Sequence, residues 1–181
     1  MPRHIVLLRG INVGKHRRIA MADLRELLTG HGYGDVKTLL QSGNVVLTSR
    51  RRPEALAREL ERQIEAGTGV DPLVVVRTRE QIEDVIEHNP FTGELESGGA
   101  PKSLQVSFLT GDPDPEFVAE LEGRDWGRER VAFRGREIYA WHADGLQSSE
   151  LVKHLDEKRL GVAATARNWN TVLKLLELAG D

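Results

Sequence analysis

Two observations predict an α+β fold for this chain of 181 residues. Short apolar runs typical of buried strands, such as HIVLL at residues 4–8, alternate with longer segments in which apolar residues recur every three or four positions. The same order of elements occurs twice, once on each side of a segment rich in glycine and proline at residues 91–101. We therefore predict two α+β units, at 1–90 and 102–181, joined by a linker.

The first half is predicted as strand, helix, strand, strand, helix, strand, helix. After HIVLL, helical spacing predicts a helix near Met21–His31, and VKTLLQ and NVVLTS predict two strands joined by a tight turn at Ser42-Gly43. Pro53 suits the first turn of the second helix, and PLVVVR is the fourth strand. Thr78 and Gln81 fit a capping box that begins the last helix.

The second half repeats this order. SLQVSFL is a strand, Asp114 begins a helix, and RVAF and EIYAW form a hairpin. A serine at 148 or 149 caps the next helix, GVAAT is a short eighth strand, and the last helix follows Thr165. The order βαββαβ is the ferredoxin-like motif, an antiparallel sheet with helices on one face. We predict two such units, each followed by a helix and packed into one compact body.

Composition predicts a globular protein of the cytoplasm that does not bind membranes. The chain is 39% apolar and 29% charged, and no run approaches the ~18 apolar residues that span a bilayer. The five-residue apolar run near the N-terminus is too short for a secretory signal. The chain has no cysteine, and its six histidines show no metal-binding spacing, so we expect no metal and interpret each histidine as a surface or half-buried residue rather than a ligand. Any other cofactor is left open.

Charge is distributed unevenly along the chain. Residues 1–52 hold ten basic and three acidic residues, a net charge of +7, and the rest of the chain has a net charge of −10. Such asymmetry indicates that the first segment faces an anion, either a small molecule or a nucleic acid. The alternative, in which it faces the acidic part of its own chain, stays open.

The stretch RGINVGKHRR, residues 9–18, leaves the first strand with two glycines and a cluster of basic side chains. It is not a nucleotide P-loop, which needs G-x-x-x-x-G-K-[ST]: one residue too few separates the glycines, and a histidine replaces the hydroxyl. What remains is a glycine-flanked loop with Arg9, Asn12 and Lys15 as donors for an anion. Taken alone, the stretch favours plain turns with solvated side chains.

The stretch TARNWNTV is the second candidate, because five polar residues crowd the predicted start of the last helix. A helix N-terminus favours an anion, and Arg167 would strengthen that preference. One cap explains one polar residue and not five, so we interpret Arg167, Asn168 and Asn170 as binding residues. The turn QSGNV adds Ser42 and Asn44, although a plain hairpin turn is its simpler explanation.

The motifs RGINVGK, QSGNVV, NPF and TARNWNTV, with Met21 and Leu24 in the first helix, resemble a bacterial family called domain of unknown function 1697. The resemblance runs in order over essentially the whole chain. It implies two ferredoxin-like subdomains, and it implies no reaction, substrate or cofactor. The Arg, Asn and Ser at the motif positions suggest a shared polar site, although buried structural networks use the same residues.

Three functions fit these patterns. The first is a protein that binds a phosphate-bearing or other anionic ligand, such as a nucleotide or RNA, at a site formed jointly by the RGINVGK loop and the RNWNT helix start. This function predicts that Arg9 and Arg167 lie close together. The second is an enzyme acting on a small anionic substrate in a crevice between the halves, although no G-x-S-x-G nucleophile motif is present. The third is a structural or partner-binding module whose polar motifs are buried and bonded to one another.

An RNA-reading sheet would need exposed aromatic side chains on its strands. Phe133, Tyr139 and Trp141 on the second hairpin could line one face in this way. A hydrophobic core between sheet and helices is the better explanation of all three.

Overall fold

The computed structural model describes residues 1–180. Contacts between residues divide them into two units. The first is Met1–Asp84 together with the chain from Lys174 onward, and the second is Val85–Leu173. The sequence-predicted limits of 1–90 and 102–181 differ from this division and stay a prediction about which parts fold independently.

The first half of the chain forms an antiparallel sheet in the order β2-β3-β1-β4, and its connections are ferredoxin-like as predicted. Val6 and Leu8 of one sheet face pack with Leu24, Leu56 and Leu60 of the two helices between the strands. The strands are β1 (Arg3–Arg9), β2 (Gly34–Leu39), β3 (Asn44–Thr48) and β4 (Leu73–Thr78), and the helices are α1 (Met21–Gly30), α2 (Pro53–Thr68) and α3 (Arg79–Glu87).

Local sequence signals place the helix starts of this half. Pro53 stands at the beginning of α2, as predicted. The capping box before α3 is confirmed: the Gln81 N–H donates to Thr78 Oγ1 at 3.2 Å, and the Thr78 N–H donates to Gln81 Oε1 at 2.8 Å. Both signals act over three or four residues, so they can be recognised in the sequence without knowledge of the rest of the chain.

The second half forms another antiparallel sheet with the equivalent order β6-β7-β5-β8. One face carries Leu109 and Ile138, which pack with Phe117, Leu121 and Leu160 of the helices. Here the predicted linker contains a short helix, α4. The strands are β5 (Leu104–Leu109), β6 (Arg130–Arg134), β7 (Glu137–Trp141) and β8 (Ala164–Asn168), and the helices are α4 (Thr92–Glu96), α5 (Pro115–Gly123), α6 (Glu150–His154), α7 (Glu157–Leu160) and α8 (Trp169–Ala179).

The end of the chain differs from the sequence prediction in one respect that matters for the site. The eighth strand is Ala164–Asn168 and not GVAAT, and α8 begins at Trp169. In β8, Arg167 lies opposite Val106 of β5, and Thr165 lies opposite Phe108. Pairing with β5 extends the strand through TARN, so Arg167 is a strand residue and not part of a helix N-terminus.

The helix predicted after Ser149 is also divided. Ser149 caps α6 as predicted, since its Oγ accepts the Val152 N–H at 3.0 Å. Asp156 then accepts the Lys158 N–H at 2.9 Å and caps a separate helix, α7. The competing second cap therefore replaces one longer helix with two short ones.

The hairpin aromatics do not share one face. Phe133 lies opposite Ile138 on the face that packs with the helices, whereas Tyr139 and Trp141 point to the other face. Tyr139 is 1% exposed and Trp141 is 8% exposed. Tyr139 and Trp141 are core residues, and Phe133 is partly buried against the helices, so the three do not form one exposed platform for bases. Across residues 1–180, no helix has the length and apolar character needed to span a membrane.

Candidate functional site

The loop after β1 is closed by Asn12. Its backbone N–H donates to the Arg17 carbonyl at 2.8 Å. Its side chain accepts the Ile19 N–H at 2.8 Å and donates to the Ile19 and Gln41 carbonyls at 3.0 and 2.7 Å. Ile11 and Ile19 are buried in the core, so both ends of the loop are held, while residues 13–18 between them are exposed.

The β2–β3 turn packs against the same loop. Gly43 has a φ of +89°, and a Cβ there would lie 2.8 Å from Leu8 Cβ and from Ile11 Cδ1, so glycine is needed. The Gly43 carbonyl accepts the Leu8 N–H at 2.8 Å. Asn44 is fully buried and donates to the carbonyl at the end of β2 at 2.8 Å and to Ser42 Oγ at 3.1 Å. The QSGNV motif therefore builds a turn that supports the loop.

An open pocket of about 390 Å³ lies beside this loop, where β1 ends and β4 begins. Arg9, the last residue of β1, pairs in register with Leu73, the first residue of β4. Arg9 and Arg17 are both exposed and both line the pocket. The volume lies within the range of about 300–1,000 Å³ that is usual for small-molecule sites. The other lining residues are Gly10, Glu61, Asp71, Pro72 and Leu73.

Two hydrogen bonds hold the walls of the pocket. The Arg17 guanidinium donates to the Asp71 carbonyl oxygen. Because a guanidinium has five N–H donors, this bond leaves others for a ligand. Glu61 Oε1 accepts the Val74 N–H at 3.0 Å and fixes α2 against the start of β4. A pocket whose side chains are positioned in advance loses less conformational entropy when it binds a ligand.

The predicted residues of the first unit have different roles. Arg9 lines the pocket, whereas Lys15 lies exposed at the loop tip and does not line it. Asn12 and Asn44 bond to backbone groups, and Ser42 is an exposed turn residue that accepts from Asn44. The geometry thus places the two asparagines among the contacts that hold the loop and the turn, and Arg9 at the wall of the pocket.

The predicted residues of the second unit lie on β8 and at the start of α8. Arg167 is 9% exposed and donates to Thr165 Oγ1 at 2.7 Å and to the Ala166 carbonyl at 2.8 Å. Burial lowers the pKa of Arg167 to about 10. Asn168 Oδ1 accepts from the Thr171 N–H at 3.0 Å and from its hydroxyl at 3.1 Å, so it caps α8, while Asn170 is exposed. The expected proximity of Arg167 to Arg9 stays a prediction.

Sequence reasoning missed three of the residues that line the pocket. Arg17 was available in the basic stretch RGINVGKHRR, but nothing local distinguishes it from its neighbours. Glu61 and Asp71 carried no signal, because an acidic residue on an amphipathic helix or before a strand is ordinary. Only the fold brings them beside Arg9.

A buried polar network in the second unit was also missed. Ser149 Oγ donates to Glu129 Oε2 at 2.5 Å, and His142 Nδ1 lies 2.8 Å from Ser149 Oγ and 3.1 Å from Glu129 Oε2. Since the serine proton is directed to the carboxylate, Nδ1 carries a proton and donates. The other carboxylate oxygen accepts the backbone N–H groups of Glu150 and Leu151 at 2.9 and 3.1 Å.

These groups do not form a catalytic triad. Ser149 is 2% exposed, and its hydroxyl already donates to Glu129 and accepts from two donors. Ser149 and Glu129 both meet the same ring nitrogen, whereas a triad places its nucleophile and its carboxylate on opposite nitrogens. Burial would raise the pKa of Glu129, but hydrogen bonds from Ser149, from the Leu151 and Glu150 N–H groups and from His142 outweigh burial and lower it.

The expectation that every histidine is a surface or half-buried residue is wrong for two of the six. His4 and His142 are each 1% exposed. Burial lowers the pKa of His4, partly offset by the Pro2 carbonyl, the Glu80 charge and the Arg51 carbonyl. In the described part of the chain, no group of three or more histidine, aspartate or glutamate side chains is arranged to hold a metal ion.

Comparisons with known proteins agree with the fold. The structure is similar to that of the conserved bacterial protein SP0830 from Streptococcus pneumoniae, with a TM-score of 0.77 and 23% sequence identity over 98% of each chain. No curated protein matches the chain. A family model described as protein of unknown function (DUF1697) matches residues 1–139, which include the loop and the pocket described above. The chain therefore belongs to the DUF1697 family.

Proposed function

We propose that this protein binds a small ligand with a phosphate or other anionic group, held by Arg9 and Arg17 in the pocket beside the RGINVGK loop. The observation that carries the proposal is the pocket itself, about 390 Å³ of open volume lined by two exposed arginines. A planar guanidinium matches the geometry of phosphate and carboxylate groups and can bond to them through two N–H donors at once.

The construction of the loop also supports binding. The hydrogen bonds of Asn12 fix the loop base, and the bond from Arg17 to the Asp71 carbonyl positions one guanidinium. Both restraints exist without a ligand, so the entropy cost of ordering the site is met during folding. The pocket lining contains no aromatic residue, which favours a small anion over stacked RNA bases.

The predicted second half of the site, Arg167 with Asn168 and Asn170, remains part of the proposal. Arg167 is a cation whose pKa is lowered by burial, and a bound anion would stabilise its charged form. A variant at this position tests whether the two motifs act together.

The experiment is a thermal-shift screen at low ionic strength with inorganic phosphate, nucleotides, short single-stranded RNA and small acids. Arg9→Ala, Arg17→Ala and Arg167→Ala are compared with the parent. Arg58→Ala is the matched control, because Arg58 is an exposed arginine of α2 outside the pocket. A ligand at ~100 times its Kd adds ~2.7 kcal/mol of stability, which raises Tm by several degrees.

We expect a phosphate or small-acid shift that is lost in Arg9→Ala and Arg17→Ala and kept in Arg58→Ala. Its additional loss in Arg167→Ala would support a site built from both motifs. A shift that survives Arg9→Ala, or no shift with any of the compounds, would contradict the proposal. Stabilisation by RNA alone would favour nucleic-acid binding over a small anion.

A further inference from the structure

We infer that the ligand of this pocket is a zwitterion, a small molecule that carries both an acidic group and an amino group. The inference rests on the proposed function, since it concerns the same site. Its starting point is the charge of the lining: Arg9 and Arg17 contribute two positive formal charges, and Glu61 and Asp71 contribute two negative ones. A site adapted to a polyanion has a surplus of positive charge, whereas this one is balanced.

The two signs of charge come from different parts of the fold. The arginines belong to the end of β1 and the loop that follows it. Glu61 belongs to α2, and Asp71 lies in the segment between α2 and β4. A ligand that occupies the pocket therefore meets groups of both signs, which is the complementarity that a dipolar molecule needs.

A ligand with negative charges alone would be poorly matched. Glu61 and Asp71 line the same cavity of about 390 Å³, so their negative charges repel an anion that is placed there. A nucleoside triphosphate, with several negative charges, would incur the most repulsion. An amino group on the ligand turns this repulsion into attraction.

The apolar part of the lining suggests what lies between the two charged groups. Pro72 and Leu73 contribute carbon surface between the segment that carries Asp71 and the strand end opposite Arg9. A short aliphatic chain would lie against this surface. The chemical class is thus an aliphatic amino acid or an amino-bearing phosphate ester.

The test compares compounds that differ only in the amino group. Linear amino acids from glycine to aminohexanoate are titrated against the matching acids from acetate to hexanoate, and aminoethyl phosphate is titrated against ethyl phosphate. Binding is measured by calorimetry at low ionic strength. We expect at least one amino compound to bind about tenfold more tightly than its partner, or ~1.4 kcal/mol.

A double variant, Glu61→Gln with Asp71→Asn, assigns the preference to the carboxylates. Glutamine keeps the side-chain oxygen that accepts the Val74 N–H, and the Asp71 carbonyl that holds Arg17 is part of the backbone. We expect the tenfold ratio to fall close to one while the plain acid binds at least as well as before. Glu65→Gln, an exposed change on α2 outside the pocket, should keep the ratio.

The outcomes separate this inference from the proposed function. Equal affinity for acids with and without the amino group would overturn the zwitterion and leave the anion site in place. A preference that persists in the double variant would also overturn it. If neither set of compounds binds, the proposed function fails as well.

Discussion

The pocket of the first unit and the buried network of the second unit both consist of polar and charged side chains, but they differ in exposure and in hydrogen bonding. Around the pocket, Arg9 and Arg17 are exposed beside an open volume, so water can be exchanged for a ligand. In the network, His142 and Ser149 are almost inaccessible, and Glu129 uses both carboxylate oxygens within the protein. Polar groups that are already bonded to one another specify a structure and have little capacity left for binding.

The difference shows that residue type alone does not identify a site. A serine, a histidine and a glutamate in contact resemble catalytic machinery, yet their accessibility and bonding assign them to the fold. Two arginines near a turn resemble ordinary surface, yet they line a cavity. Exposure next to an open volume separates the two cases.

The largest expected effect is the loss of the buried network. Glu129→Ala removes the acceptor of the Ser149 hydroxyl and of two backbone N–H groups, so we expect unfolding free energy to fall by about 3 kcal/mol. Trp126, Trp141 and Trp169 all lie in the second unit, so tryptophan fluorescence during urea unfolding reports this change directly.

Asp144→Ala is the control for this change, because Asp144 makes an exposed ion pair with Arg128. Its loss should lower the unfolding free energy by less than about 0.5 kcal/mol. Ligand binding in the first unit should survive Glu129→Ala. Equal stability of the two variants would show that the network contributes little.

The next effect concerns the base of the loop. Asn12→Ala removes bonds to the Ile19 N–H and to the Ile19 and Gln41 carbonyls, so we expect a loss of about 2 kcal/mol and a weaker affinity for the anion. Equilibrium unfolding and calorimetry measure the two effects. Val13→Ala, at the exposed loop tip, is the matched control and should leave both unchanged. Unaltered anion affinity in Asn12→Ala would show that the Asn12 hydrogen bonds are not needed for binding in the pocket.

A smaller expected effect is that the stability of the first unit depends more strongly on mild acid than the stability of the second unit does. Burial lowers the pKa of His4 below its usual 6.5, so the unfolded chain binds the proton more readily. The first unit should lose stability as pH falls below 6.5 towards the lowered folded value. The pKa of Glu129 is lowered from 4.5, so the contribution of that carboxylate should persist until pH falls below 4.5.

Amide hydrogen exchange at pH 7.5 and 5.5, corrected for intrinsic rates, measures this difference. His4→Gln should reduce the loss of protection in the first unit, while the second unit retains its protection in both proteins. A parent protein whose two units respond alike, or a His4→Gln variant that keeps the full pH response, would contradict this assignment.

The smallest expected effect on stability is at Arg9, one of the two arginines that the proposed function places against the anion. Arg9 is exposed, and polar contacts of exposed charged side chains contribute little, so Arg9→Ala should change the unfolding free energy by no more than about 1 kcal/mol. The Arg9→Ala variant should nevertheless lose its affinity for the anion. Chemical denaturation followed by calorimetry on the same sample tests both statements, and a strongly destabilised Arg9→Ala would identify Arg9 as a structural residue.

The parts of the fold that could be predicted are those determined by local signals. Pro53 begins α2, Thr78 and Gln81 form their capping box, and the Asp114 side chain accepts the Phe117 N–H at 2.9 Å to start α5. Each signal acts over about three residues, so no knowledge of the rest of the chain is required. The order of strands and helices followed from the apolar runs and the helical spacing of apolar residues, which are also local patterns, and it predicted the ferredoxin-like topology.

The errors arose where distant partners decide the structure. The polar residues of TARN lack the apolar alternation of a typical strand, and only pairing with β5 makes them one. Asn12 stays a candidate ligand residue, but its contacts with Ile19 and Gln41 could not be predicted, because only the fold brings these residues around it. Glu61 and Asp71 reach the pocket from segments far along the chain from Arg9. None of these contacts can be predicted from a short segment of sequence, because each depends on residues that only the fold brings together.

The central claim is that the pocket beside the RGINVGK loop binds an anion, and chemical-shift mapping tests it most directly. Inorganic phosphate and aminoethyl phosphate are titrated into the isotope-labelled protein while backbone amide resonances are recorded. The account predicts that the largest saturable shifts occur at Arg9, Gly10, Arg17, Asp71 and Leu73, and that they disappear in Arg9→Ala. Shifts centred elsewhere in the chain, or none up to high ligand concentration, would contradict it.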